Sequence, residues 1–272
     1  MKKVFELTNK YIIIATPLIL FSLFSSIYLI ASTRGTGIIQ ILLIFCILFL
    51  MGAAFIAGWG NMVKSAVSEE KSDEPNDIIK QFPSGVGEYF LSSCGVLICA
   101  FLFNLVFFIC SFAAGMHYIG DIGVSSAEIS KAMANQQALK AFLTGLSPAQ
   151  LIKINMWNVL LLGTMSITSF LLMLYLPAVF FSSKNPFKAL YISIRYIFSN
   201  KFFKTLGVFL LIFVLNFVIS IFLALLSGNV FTNFVMTLIN FYFICCVAIG
   251  IFYYYYKHFV NQKPGQIIDT VI

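Results

Sequence analysis

The sequence predicts an all-α, six-span transmembrane helical bundle with interfacial amphipathic helices, and three observations carry that prediction. Hydrophobic side chains make up 60% of the 272 residues and charged ones only 10%, far from the balance of a soluble domain. Between Thr205 and Tyr256 there is no charged side chain. As helix that stretch would be roughly 78 Å long against a hydrocarbon core of about 30 Å, so it must cross twice. Charge-free runs recur over 11–33, 35–63, 89–120 and 154–183 without apolar/polar alternation, which favours helices over outer-membrane barrel strands. The whole chain, 1–272, then reads as a single integral membrane domain.

Taken in order, span 1 covers about residues 11–32. Lys2 and Lys3 precede it as they would a signal peptide, but the apolar run exceeds the roughly 7 to 15 residues of a signal h-region, so it is expected to be retained. Span 2 covers 38–63, where Ala53/Ala57 and Ala54/Gly58 form small-xxx-small pairs suited to close helix contact. The loop after it mixes Glu69, Glu70, Lys71, Asp73, Glu74 and Asp77 with Pro75, the composition of a solvated turn. Pro83, Gly85 and Gly87 then predict a bend over Phe82 to Phe90, ahead of span 3 at 89–116.

An external helical loop is expected over 118–155. Ser125 to Glu128 fits a capping box for a helix carrying Ile129, Ala132, Met133 and Gln136, and Ser147-Pro148 begins a second helix that runs into span 4 at 156–182. These helices either lie on the outer surface or cover a cavity as a lid. Asn185-Pro186-Phe187 is a strong helix start and opens a cytoplasmic interfacial helix at 185–199. Its apolar stripe is Phe187, Leu190, Tyr191, Ile194 and Phe198, with Lys188 and Arg195 on another side. Span 5 at 203–227 and span 6 at 231–256 flank the turn Ser227-Gly228-Asn229, and Tyr253 to Tyr256 end span 6 as an interfacial anchor or a tyrosine ligand cluster.

Thr8-Asn9-Lys10-Tyr11 leads into span 1 and Ser199-Asn200-Lys201-Phe202 into span 5, with Phe5 and Tyr196 three positions ahead. A looser version, Asp77 to Phe82, precedes span 3. Three parallel hairpins, each with an interfacial lead-in helix, would give this pattern, and so would convergence on one polar-basic chemistry.

With six spans both termini share a side. That side holds thirteen of the 17 Lys and Arg residues, and Arg34, Lys131, Lys140 and Lys153 fall on the other. This asymmetry places both termini in the cytoplasm and accounts for the net charge of +7 without a nucleic-acid partner. Lys188, Arg195, Lys201 and Lys204 are the candidate lipid-headgroup residues, each able to contribute about 1 kcal/mol of attraction to an anionic surface.

Catalytic chemistry is missing from the pattern. The span centres hold no Asp, Glu, Lys or Arg, so proton-coupled transport is disfavoured. No phosphate loop, HExxH or serine elbow occurs, and the carboxylates of 69–77 have no companion nucleophile. Cys46, Cys94, Cys99, Cys110, Cys245 and Cys246 all fall in spans, where they read as small packing residues rather than disulfides or metal ligands. No catalytic, cofactor or metal residues are therefore assigned. Thr16-Pro17 and Pro177 are candidate kinks, and Asn104, Asn216 and Asn240 candidate interhelical hydrogen-bond partners.

The segment from Leu176-Pro177-Ala178-Val179 through Asn185-Pro186-Phe187-Lys188-Ala189-Leu190 to Lys201-Phe202-Phe203-Lys204-Thr205-Leu206-Gly207, about residues 176–257, resembles the bacterial multi-span membrane domain found beside glycerophosphodiester phosphodiesterases and related uncharacterised membrane families. The resemblance implies a bacterial helical membrane domain. It does not carry the phosphodiesterase activity. The expected function is that of a non-enzymatic membrane protein organising lipid or a partner protein, with membrane lipids, a membrane protein or a second copy as partners. The alternative is a carrier of a lipid or another amphipathic or neutral solute.

Overall fold

The protein is described by a computed structural model that covers residues 2–32, 37–68, 75–132, 134–199, 201–226 and 229–261. Arg34, the charged loop 69–74, Met133, Asn200, Ser227, Gly228 and Lys263 lie outside these residues. So do the side chains of Glu128 and Gln136, and with Glu128 the expected capping box.

Eleven helices make up almost all of the described chain. They are α1 (Lys2–Lys10), α2 (Ala15–Ser32), α3 (Ile38–Ser68), α4 (Pro75–Tyr118), α5 (Ser126–Ala132), α6 (Gln136–Gly145), α7 (Pro148–Leu172), α8 (Tyr175–Phe181), α9 (Pro186–Ile197), α10 (Phe202–Leu226) and α11 (Val230–Tyr255). Six helical segments are long and apolar enough to cross a bilayer: Ile12–Ser32, Ile38–Ser68, Asp77–Tyr118, Pro148–Phe181, Phe202–Leu225 and Phe231–Val260. The chain is an all-α, six-span integral membrane protein.

Two of these segments are broken at a proline. Tyr11 to Ile14 forms a short 3-10 turn before α2, which places Pro17 in the first turn of α2, where a missing N–H costs nothing. The Trp59 indole of α3 donates to the Ile14 carbonyl at 2.9 Å and pins this restart. Span 4 breaks at Met173–Leu174, so that Pro177 falls in the first turn of α8. The helix predicted from Ser147-Pro148 does run straight into this span as α7.

No loop interrupts the helix over Phe82 to Phe90, where a bend is expected: α4 is continuous for 44 residues with Pro83 inside it. The nearby glycine is a contact surface rather than a loosening element: a Cβ on Gly85 would lie 2.5 Å from Asn61 Cβ and 2.6 Å from the Ala57 carbonyl oxygen. That approach seats α4 on the Ala53/Ala57 and Gly58 face of α3. Asn61 also donates to the Gln81 carbonyl at 3.0 Å, a polar tie between α3 and α4 two residues before Pro83. The third lead-in, Asp77 to Phe82, is therefore the first part of a crossing helix, whereas α1 and α9 are separate short helices.

The chain divides into two compact units, Met1–Cys99 with Leu171–Ile272, and Ala100–Phe170. In the first, the buried side chains gather at the basic ends of α3, α4, α8, α9 and α11, among them Met62, Tyr89, Phe180, Ile197, Phe252 and Tyr255. Phe180 lies in contact with Gly60 and 4.5 Å from the Tyr89 ring, and Lys64 donates to the Tyr89 hydroxyl at 2.9 Å. Toward their other ends α2, α3, α10 and α11 leave Leu23, Ile41, Phe217 and Phe234 exposed, as hydrocarbon-facing positions should be. In the second unit α4 pairs with α7 through Ser111 and Thr164 hydroxyls 2.6 Å apart, and Trp157 packs on Gly115 while its indole donates to the Gly120 carbonyl at 3.2 Å.

Candidate functional site

α9 forms as its sequence dictates. The Asn185 side chain accepts from the Phe187 and Lys188 amides at 3.0 and 3.2 Å, and Pro186 occupies the first turn. Its stripe is divided, however. Ala189, Ser193 and Ile197 are buried against the protein, whereas Phe187, Tyr191 and Phe198, read as one apolar face with Leu190 and Ile194, stay exposed. Lys188 and Arg195 are exposed two turns apart, about 10 Å along the axis. The helix thus has a protein side, an aromatic side and a basic side.

The other two headgroup candidates sit elsewhere, at the start of α10. Lys204 is exposed and Lys201 half-buried, its ammonium donating to the His258 carbonyl at 2.7 Å and lying 5.3 Å from the Phe259 ring. Burial first, and the Lys204 charge second, hold the Lys201 ammonium below the ordinary lysine range. His258 itself feels Lys201, Lys257 and Lys204. The structure therefore gathers Lys201 and Lys204 with two residues that the sequence reading did not single out, Lys257 and His258. Lys184, by contrast, has a partner, since Glu88 bonds it at 2.9 Å and raises its ammonium above the usual range.

Lys257 and His258 stand on a five-residue π-helical turn, Tyr256–Val260, that continues α11. Such a turn is a recurrent feature of functional sites. The four consecutive tyrosines that lead into it, Tyr253 to Tyr256, do not form one anchor. Successive helical residues point about 100° apart, so Tyr254 and Tyr255 turn inward and are buried, and their hydroxyls pair with Thr205 at 2.8 Å and Ser182 at 2.6 Å. Tyr253 faces outward with the Lys3 and Lys257 ammonium groups 5.8 and 6.0 Å from its ring.

An apolar trough of about 530 Å³ ends at this basic group. One wall is Val4 and Phe5 of α1, the opposite wall is α10 from Val208 to Ile219, and the floor is α11 from Ile239 to Lys257 and His258. α1 is held along the trough by a 2.6 Å hydrogen bond from the Tyr242 hydroxyl to Asn9 and by Val4 resting on Gly250, where a Cβ would meet it at 3.6 Å. The trough extends for about 25 Å along α11, and its volume lies within the range of roughly 300 to 1,000 Å³ typical of ligand sites. Its chemistry is to hold an apolar chain beside fixed positive charge. Periodicity did not reveal it, because α10 and α11 are apolar on every side and a trough between such helices leaves no stripe.

All six cysteines are free thiols, and no group of three or more His, Cys, Asp or Glu side chains able to hold a metal ion occurs among the described residues. Asn104, expected to bond across helices, turns back on the Ala100 carbonyl of its own helix at 2.8 Å. No family model, curated protein or solved structure matches the chain.

Proposed function

We propose that this is a non-enzymatic membrane protein that organises lipid in the cytoplasmic leaflet of a bacterial membrane, with both termini cytoplasmic. The observation that carries the reading is the apolar trough that ends at Lys257 and His258, where Lys201 bonds the His258 carbonyl and Lys204 lies one helical turn before Val208, the outline of an amphiphile with a negative head. The thirteen-to-four distribution of basic residues supports the orientation. The apolar lining supports retention of lipid over passage of a hydrated solute, which would need polar groups along its path. The exposed rings of Phe187, Tyr191 and Phe198 beside Lys188 and Arg195 suit a helix that lies at the headgroup level.

The test is lipid selectivity of the purified protein, measured by native mass spectrometry after exchange into phosphatidylcholine doped with phosphatidylglycerol. Wild type is expected to retain the anionic lipid preferentially. A chain with Lys188→Gln, Arg195→Gln, Lys201→Gln and Lys204→Gln should lose most of that preference, at about 1 kcal/mol for each residue that reaches a headgroup. No selectivity in wild type, or undiminished selectivity in the fourfold variant, refutes the reading.

A further inference from the structure

We infer that the trough between α1, α10 and α11 is a built site for one anionic phospholipid, whose acyl chain lies along Leu211 to Ile219 and whose phosphate sits at Lys204, Lys257 and His258. The inference rests on the lipid-organising reading and gives it an address.

The trough is long enough for one acyl chain and its headgroup. A single leaflet takes about half of the ~30 Å hydrocarbon core, and the trough extends about 25 Å along α11. Its wall is aliphatic on the α10 side, and on the floor the small Cys246 stands among Tyr242, Phe243 and Val247, a place that a larger residue would fill. Polarity changes abruptly at the mouth, with Tyr253 presenting an amphipathic ring between two ammonium groups.

Charge selects the class of occupant. Between Glu128 and Asp269 the sequence holds ten Lys and Arg residues and no acidic residue at all. α9, α10 and α11 therefore supply no carboxylate to the cluster. The acidic side chains seen elsewhere in this unit are engaged with their own partners, Glu6 with Lys2, Asp77 with Lys80 and Glu88 with Lys184. Several cations held together beside an apolar surface repel one another, and an anion from outside relieves that repulsion. A zwitterionic headgroup offers a phosphate but brings its own cation to the same cluster. A phosphodiester with net negative charge is the better complement.

The experiment uses the full chain in phosphatidylcholine nanodiscs with a trace of phosphatidylglycerol bearing a diazirine near the end of one acyl chain, and maps the crosslinks by peptide mass spectrometry. Crosslinks are expected to concentrate on α10 and α11 residues that line the trough, and the same photoactive chain on phosphatidylcholine should label the exposed faces of all spans. Lys204→Gln with Lys257→Gln should reduce trough labelling at least about tenfold, whereas Lys131→Gln with Lys140→Gln, exposed residues that do not line the trough, should leave it unchanged. Cys246→Trp fills the floor and should abolish trough labelling, with Leu215→Trp on the opposite wall as a second blocking variant. Scattered crosslinks from a wild-type protein that still prefers anionic lipid would overturn the trough and spare the broader reading. Absence of any anionic preference would overturn both.

Discussion

A glycine in a membrane helix can be a hinge or a point of contact, and Gly85 and Gly87 separate the two roles within one turn of α4. The site of Gly85 meets backbone and a Cβ of α3 at 2.5 to 2.6 Å, whereas nothing lies within 4 Å of a Cβ at Gly87. Gly85→Ala is expected to force α4 away from α3 and to destabilise the protein by about 1–3 kcal/mol. Gly87→Ala should be neutral or stabilise by up to about 1 kcal/mol, since it only removes glycine's backbone freedom from a helix. Thermal unfolding of the two variants in detergent measures the difference, and equal midpoints would mean that α3 and α4 do not cross at Gly85. The same distinction explains why the sequence suggested a bend. Pro83 with two glycines is the composition of a turn, and only the facing Ala57-Gly58 of another helix makes it a packing surface.

At the scale of the element, α9 shows how far periodicity reads and where it stops. The cap, the first-turn proline and the helix itself were legible, because each depends on neighbours in sequence. Which residues face the protein was not, since Ala189 and Ser193 are buried by close approach to other helices rather than by their own hydrophobicity. Ala189→Leu should therefore overpack that contact and cost about 1–3 kcal/mol, while Tyr191→Ser on the exposed aromatic side should leave the thermal midpoint within the range of an ordinary surface change, about 0.5 kcal/mol. The reverse order would place the aromatic side in the core. The trough is the limiting case. The headgroup lysines at the start of α10 were legible from charge, but Lys257 and His258 join them only through the return of α11, and helical rotation turns Tyr254 and Tyr255 inward and Tyr253 outward, which a run of four identical letters cannot reveal.

For the whole molecule the six crossings followed from charge-free length alone, the two breaks fall just before the candidate kinks Pro17 and Pro177, and the extra length of α4 was the main departure. Orientation is a separate matter of charge distribution, and it makes a direct prediction. In a background without the native cysteines, Ser130→Cys, in α5, should be labelled by an impermeant thiol reagent applied to intact cells, and Lys188→Cys, in α9, only after the membrane is opened. Both positions are placed on helices outside the six spans. Labelling of position 188 from outside with protection of position 130 would invert the topology and move the trough's mouth to the other leaflet.

The chain contains two tryptophans, and each of its compact units holds one. Trp59 is nearly buried where α2 restarts against α3, stacked near Phe55 and bonded to Ile14, while Trp157 closes the pairing of α4 with α7 over Gly115. Removing either indole by a Phe substitution leaves a chain with a single tryptophan seated in a known contact, which red-edge excitation isolates from the 12 tyrosines. The emission of that fluorophore reports on the melting of its own unit and is blind to the other. The protein thus carries, without any attached dye, an optical means of asking whether its two units come apart together or in turn.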